Sequence, residues 1–174
     1  MRFTMVIHGG AGTILKEDMT PELEQAYVEG LLRAMDAGYN VLTNGGSSVE
    51  AVKAAVIVLE DNILFNAGRG SVFTKKGLHE MDAAIMEGKS LGAGAVAGAR
   101  NIRNPIALAD EVRRNSNHVF LSGEGANEFA IKQGIKPEPD EYFFSQFRYD
   151  QWKRMRDSDN YSLDHSAERV EKLM

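Results

Sequence analysis

The hydrophobic positions along the chain change period several times, and each change marks an element. Phe3, Met5, Val6 and Ile7 alternate loosely with polar neighbours over Arg2 to His8, which predicts a buried strand running into a Gly9-Gly10-Ala11-Gly12 turn. The period then becomes helical. Thr20 is a cap, Pro21 takes the first helical position, and Glu22 favours the positive end of the helix dipole. Ala26, Leu31, Leu32, Met35 and Val41 supply the apolar face of this helix, which should end near Asn44-Gly45-Gly46. Ser47, with Glu50 three residues on, forms a capping box, and Val49, Val52, Val56 and Leu59 keep helical spacing up to Glu60. From Asn62 to Gly70 apolar residues that need burial are punctuated by Asn and Gly, so an irregular but packed loop is expected, of the kind that often carries function.

Farther along, residues 78–87 and 92–99 read as strands, the second so rich in Gly and Ala that another layer should lie close to its backbone. Asn104-Pro105 starts a helix that runs to Arg114, His118 to Leu121 reads as a buried strand, and Gly123 to Gln133 as a helix closed by Gly134. A last helix from Ser145 to Arg156 offers Phe147, Trp152 and Met155 for packing. Beyond Arg156 apolar periodicity stops, and eleven of the last twenty-five residues are charged. Residues 1–156 therefore read as one α/β domain and 157–174 as a solvated linker.

Composition narrows the function classes. A chain of 174 residues with a net charge of −5 and no run of Lys or Arg is poorly built to neutralise phosphates, so nucleic acid is not an expected partner. No stretch approaches the roughly 18 apolar residues of a membrane span, and the start breaks to His8 and Gly9 too early for a secretory segment. A cytoplasmic location is expected. The absence of Cys removes disulfides, thiolate nucleophiles and thiolate metal sites.

Several motifs need weighing. IHGGAG at residues 7–12 ends a strand with glycines that suit either a tight turn or close backbone approach to a ligand. An esterase oxyanion loop would also need a G-x-S-x-G elbow, and none occurs. GAGAVAG at 92–98 spaces its third Gly wrongly for a dinucleotide fingerprint, and Pro105 soon interrupts. His79-Glu80 has no second His at the helical offset of a zinc site. Glu80 and Asp82 would share one face of a strand, an arrangement more often solvated than catalytic.

Longer strings carry more. LFNAGRGSVFTKKGLHEMDAAIMEG at 64–88 resembles the plant-type asparaginase/isoaspartyl peptidase family of N-terminal-nucleophile hydrolases. LGAGAVAGARNIRNPIALA at 91–109, SGEGANEFA at 122–130 and the Asp164-His165 region extend the likeness over essentially the whole chain. Glycosylasparaginases share that fold but lack the HGGAG start and the NAGxG loop. The resemblance implies an αββα four-layer sandwich of which this chain is the α-subunit half, completed by a β subunit cut from the same precursor into an (αβ)₂ assembly. It implies hydrolysis of L-asparagine to L-aspartate and ammonia, and of isoaspartyl dipeptides, by a Thr at the β subunit's new amino terminus. An α-amine with a pKa of roughly 7.7–8.0 can serve as base for that hydroxyl. The family's Thr-Val-Gly-Ala terminus does not occur between Met1 and Met174, and HSAERVEKLM matches the linker before the cut, so a processed α subunit is expected. A non-catalytic binding or scaffold relative is the reading from another class.

For this half, Asn66 resembles the family's active-site Asn, although an Asn there also suits the turn itself. Gly9 and Gly10 resemble the glycine loop that leaves room for the Thr. Leu59, Glu60, Asn62, Phe65, Ala67 and Arg69 resemble a sodium loop whose ligands are main-chain carbonyls, a donor set that suits a hard monovalent cation. No organic cofactor is expected.

Overall fold

The computed structural model describes residues 2–10 and 19–156; the expected linker at 157–174 and the end of the glycine turn lie outside them. Two long helices come first, α1 (Pro21–Thr43) and α2 (Ser48–Glu60). Both start where local chemistry dictates. The Thr20 hydroxyl accepts from the Leu23 N–H at 3.2 Å, and Ser47 and Glu50 exchange bonds at 3.2 and 2.8 Å in a complete capping box.

The helices pack through smaller residues than hydropathy indicates. The buried stripe of α1 is Gly30, Ala34 and Gly38, and α2 buries Val49, Ala51 and Ala55. Four-residue spacing makes a shallow ridge that a second helix can approach closely. As a result Leu32 and Val52, expected inside, are 57% and 40% exposed.

A mixed sheet follows, in the order β1 (Met81–Met86), β2 (Ala93–Ala99), β3 (Phe120–Ser122), with β1 and β2 antiparallel and β2 and β3 parallel. Helices α3 (Pro105–Asn115) and α4 (Gly123–Lys132) bracket β3, and α5 (Asp140–Phe143) and α6 (Gln146–Arg156) close the described chain. The core lies between the sheet and its helices, where Ile85, Val96 and Ala99 meet Val49, Ile106, Leu108, Val112, Ala126 and Ala130. The close layer expected at β2 is α3. A Cβ on Gly94 would stand 2.2 Å from the Ala109 carbonyl oxygen and 2.4 Å from the Arg113 nitrogen. Asp110 ties α3 to α2. At 2% exposure it accepts from Lys53 Nζ at 2.6 Å and Arg113 Nη2 at 2.8 Å. Burial pushes its carboxyl pKa up, but the bonds from Lys53 and Arg113 outweigh that and hold it below the usual aspartate range.

The opposite face of the sheet is uncovered among the described residues. Ala84 pairs with Ala95 and Ala95 with Phe120 across it, while Met86 and Phe120 are 58% and 53% exposed. The strand expected to be buried at His118–Leu121 is therefore displaced to Phe120–Ser122 and half open to solvent, because nothing described packs on that side. The expected first strand also differs. Residues 2–10 alternate in exposure but form no strand, since no described segment offers a ladder partner. They lie instead along α1, with Phe3 edge-on to Tyr39 at 5.2 Å and Met5 against Gly38. His8, expected to pack, is exposed, and its Nδ1 accepts from the Gly10 N–H at 3.2 Å.

Candidate functional site

The loop after α2 is held from several sides. Asn62 Oδ1 accepts from the Leu64 N–H at 3.1 Å, starting the turn. Phe65 is buried and meets Tyr27 of α1 edge-on at 5.6 Å, and the Tyr27 hydroxyl donates to the Leu64 carbonyl at 3.2 Å. A single 3₁₀ turn at Gly68–Gly70 folds the loop back on itself. Gly70 is required there: a Cβ would stand 2.1 Å from the Phe65 carbonyl oxygen and 2.7 Å from that of Ile63.

At the crest of this loop Asn66 is exposed. Its Oδ1 accepts from the Val72 N–H at 3.0 Å, which fixes the amide's orientation and leaves Nδ2 without a partner among the described residues. Gly9 lies alongside. A Cβ there would be 2.9 Å from Leu31 Cδ2 and 3.3 Å from Phe65 Cε1, so the glycine turn rests on the residue preceding Asn66. Gly10, at φ +132°, faces open space. Gly9 thus rests on the ring of Phe65, one residue before Asn66.

The six expected sodium-loop residues share this turn. Four of their carbonyls, those of Leu59, Asn62, Phe65 and Ala67, accept from the N–H groups of Asn62, Phe65, Ala67 and Gly70 at 2.9 to 3.3 Å, and each keeps a second lone pair. A Cβ on Gly68 would stand 2.4 Å from the Glu60 carbonyl oxygen. Main-chain oxygens are the donor type that suits a small hard cation. Side chains offer no alternative, since no group of three His, Asp or Glu among the described residues could hold a metal ion. The Glu60 side chain turns to another task. At 3% exposure its Oε1 accepts from the Ile106 N–H at 2.9 Å, capping α3, and burial pushes its pKa up to about 7.

Two other candidates are structural. Asp82 Oδ1 accepts from the Gly98 N–H at 2.8 Å where the β1–β2 register shifts. His79 is buried, with Nδ1 3.1 Å from Ser71 Oγ and its ring 4.1 Å from that of Phe73. Burial lowers its pKa.

One residue at the loop was missed by sequence reasoning. Helix α6 does not bury Phe147, which is 61% exposed; it buries Arg148 at 1%. Its inward face is Arg148, Trp152 and Met155, at offsets of four and three, so a hydropathy pattern takes Phe147 for the core residue one position away. Arg148 Nε donates to the Gly70 carbonyl at 3.0 Å and Nη2 to that of Leu64 at 3.4 Å. Only the aromatic neighbours Phe143, Tyr149 and Trp152 hinted at a covered helix there.

Fold and loop together define an α/β chain that presents one side-chain amide on a carbonyl-lined turn beside a glycine pair. The sequence profile of the asparaginase family matches residues 1–173, and the chain belongs to that family. It is 47% identical over 161 residues to the isoaspartyl peptidase/L-asparaginase of Xenopus laevis, covering 92% of this chain and 50% of that protein. To the isoaspartyl peptidase of Salmonella typhimurium it is 41% identical over 94% of this chain and 52% of the relative. The plant-type L-asparaginase of Pyrococcus furiosus is 49% identical over 87% of this chain and 47% of its own length. The chain spans about half the length of the curated relatives it matches.

Proposed function

We propose that this chain is the first half of an autoprocessed amidohydrolase that releases ammonia from L-asparagine and cleaves isoaspartyl dipeptides. The observation that carries the proposal is the family match across residues 1–173 by a chain half as long as relatives named isoaspartyl peptidase and L-asparaginase. On this reading the reacting Thr belongs to a β subunit, and the two halves assemble as (αβ)₂ into a four-layer sandwich. The uncovered sheet face, with Ala84, Ala95 and Phe120 in line, supports a second sheet packed against it. No helix among the described residues is long and apolar enough to cross a membrane.

In the reaction Asn66 has a defined part. Its Nδ2, with Oδ1 held by the Val72 N–H, donates to or orients groups of the tetrahedral intermediate beside the nucleophile. One such donor is worth roughly 2.7–4 kcal/mol in the transition state. Gly9 and Gly10 keep the adjoining space free of side chains for the nucleophile. Sodium, held by the carbonyls of Leu59, Glu60, Asn62, Phe65, Ala67 and Arg69, would supply positive charge that fixes the turn. The experiment is to produce the full-length gene product, resolve it on a denaturing gel, sequence the amino termini, and offer a β-aspartyl dipeptide beside a glycosylated asparagine. Two bands, the smaller beginning with Thr, and cleavage of the dipeptide alone are expected. A single uncut band that hydrolyses neither compound refutes the proposal and favours a non-catalytic scaffold.

A further inference from the structure

We infer that Arg148 is a positioning residue for this reaction, setting the turn that presents Asn66 through the carbonyls on either side of it. The inference rests on the functional reading above. A guanidinium at 1% exposure has lost nearly all its hydration and must replace it with fixed hydrogen bonds. Burial accordingly lowers its pKa. Two of its replacements end on main-chain oxygens of one short loop, Leu64 before Asn66 and Gly70 after it, at 3.4 and 3.0 Å. A third bond, from Nη1 to Gln151 Oε1 at 3.2 Å, steadies the fork from within α6.

The geometry reaches Asn66 by a short path. Gly70 stands two residues before Val72, whose N–H holds Asn66 Oδ1 at 3.0 Å, and the Gly70 N–H itself donates to the Ala67 carbonyl at 3.0 Å. Moving the Gly70 peptide therefore turns the outward amide. The Leu64 carbonyl is doubly held, by Arg148 and by the Tyr27 hydroxyl at 3.2 Å. Neither Leu64 nor Gly70 is among the six carbonyls assigned to sodium. Two positive charges would thus divide the loop's oxygens between them, each fixing a different edge. A planar fork can reach both carbonyls at once; an ammonium is a point charge and cannot reproduce that span.

The test uses the full-length protein and a β-aspartyl dipeptide. Arg148→Lys keeps the charge and removes the fork. It should lower kcat about 10- to 100-fold with KM within about threefold, the signature of a misplaced transition-state donor. A purely structural role would act whether or not Asn66 is present. In an Asn66→Ala background, therefore, Arg148→Lys should change kcat by less than about twofold, because the group it positions is gone. Unchanged kcat in the single variant, or a full multiplicative loss in the double, overturns the inference while leaving the proposed function standing. If Arg148→Lys yields no folded enzyme, Gln151→Ala carries the test: kcat should fall about 2- to 5-fold, with the same dependence on Asn66, and wild-type kcat overturns the inference. A wild-type enzyme inert toward every β-aspartyl substrate removes the functional reading and this inference with it.

Discussion

The Asn66 amide has two ends, an acceptor held by the Val72 N–H and an outward donor, that one substitution can separate. Asn66→Asp preserves the acceptor for the Val72 N–H, now 3.0 Å away, and exchanges the outward amide for an oxygen that cannot donate. The turn should keep its shape, because a charged acceptor holds an N–H at least as well as a neutral one. Catalysis should not survive as well. Losing one donor to a developing oxyanion costs roughly 2.7–4 kcal/mol, or about 10²–10³ in kcat, and a negative charge in its place adds repulsion. Asn66→Ala removes both contacts. It should lose a similar factor in kcat and, in addition, about 1 kcal/mol or less of stability from an exposed hydrogen bond. The pair is to be assayed by aspartate release from a β-aspartyl dipeptide at saturation, with thermal unfolding measured in parallel. Expected is an Asp variant as stable as wild type and at least a hundredfold slower, within the range for one oxyanion donor. An Asp variant within threefold of wild-type kcat would refute a donor role for the Asn66 amide.

Further outcomes follow from the packing and from the loop. Asp110→Asn strands Lys53 and Arg113, but these are 25% and 15% exposed and can partly turn to water, so the loss should be about 2–3 kcal/mol, below the 3–5 of a fully buried pair; chemical denaturation measures it. Because the Asp110 pKa is lowered, its contribution is present above the unfolded value near 3.9 and is lost as pH falls through the folded one, so the wild-type advantage over Asp110→Asn should shrink as the solution is acidified past the ordinary aspartate range. Gly94→Ala places a methyl 2.2 Å from the Ala109 carbonyl, where only backbone can yield, and should cost about 1–3 kcal/mol or prevent soluble expression. Replacing sodium by caesium should lower Tm by about 2–4 °C, as a loss of roughly 1 kcal/mol does at this chain length, and identical melting curves would remove the ion from the loop.

Much of this was legible from local chemistry. Thr20-Pro21 and the Ser47–Glu50 box start α1 and α2 where the sequence places them, because those caps act within one turn and need no tertiary partner; Pro105 marks the start of α3, but its cap comes from the distant Glu60. The Gly-rich strand announced the close approach of α3 at Gly94. Local reading failed where burial depends on what lies across the gap. Leu32 and Phe147 are apolar and exposed, while Glu60 and Arg148 are charged and buried, since hydropathy cannot see that a carboxylate will cap a distant helix or a guanidinium will find two carbonyls. At the candidate site resemblance singled out Asn66 and Gly9. That Gly9 rests on the ring of Phe65, one residue before Asn66, left no signal in the sequence, because it depends on how the chain folds back over α1.

The bare face of the sheet has a further consequence for mutation. Ala84 and Ala95 lie on the face opposite the core residues Ile85 and Val96, so a bulkier side chain at either should disturb this chain's own core little. In an assembled protein the same change would wedge apart whatever lies opposite. A deep mutational scan run twice, once for folding of this half and once for growth dependent on the whole enzyme, should therefore disagree most at these alanines. The positions of disagreement would trace the footprint of any layer packed on this face.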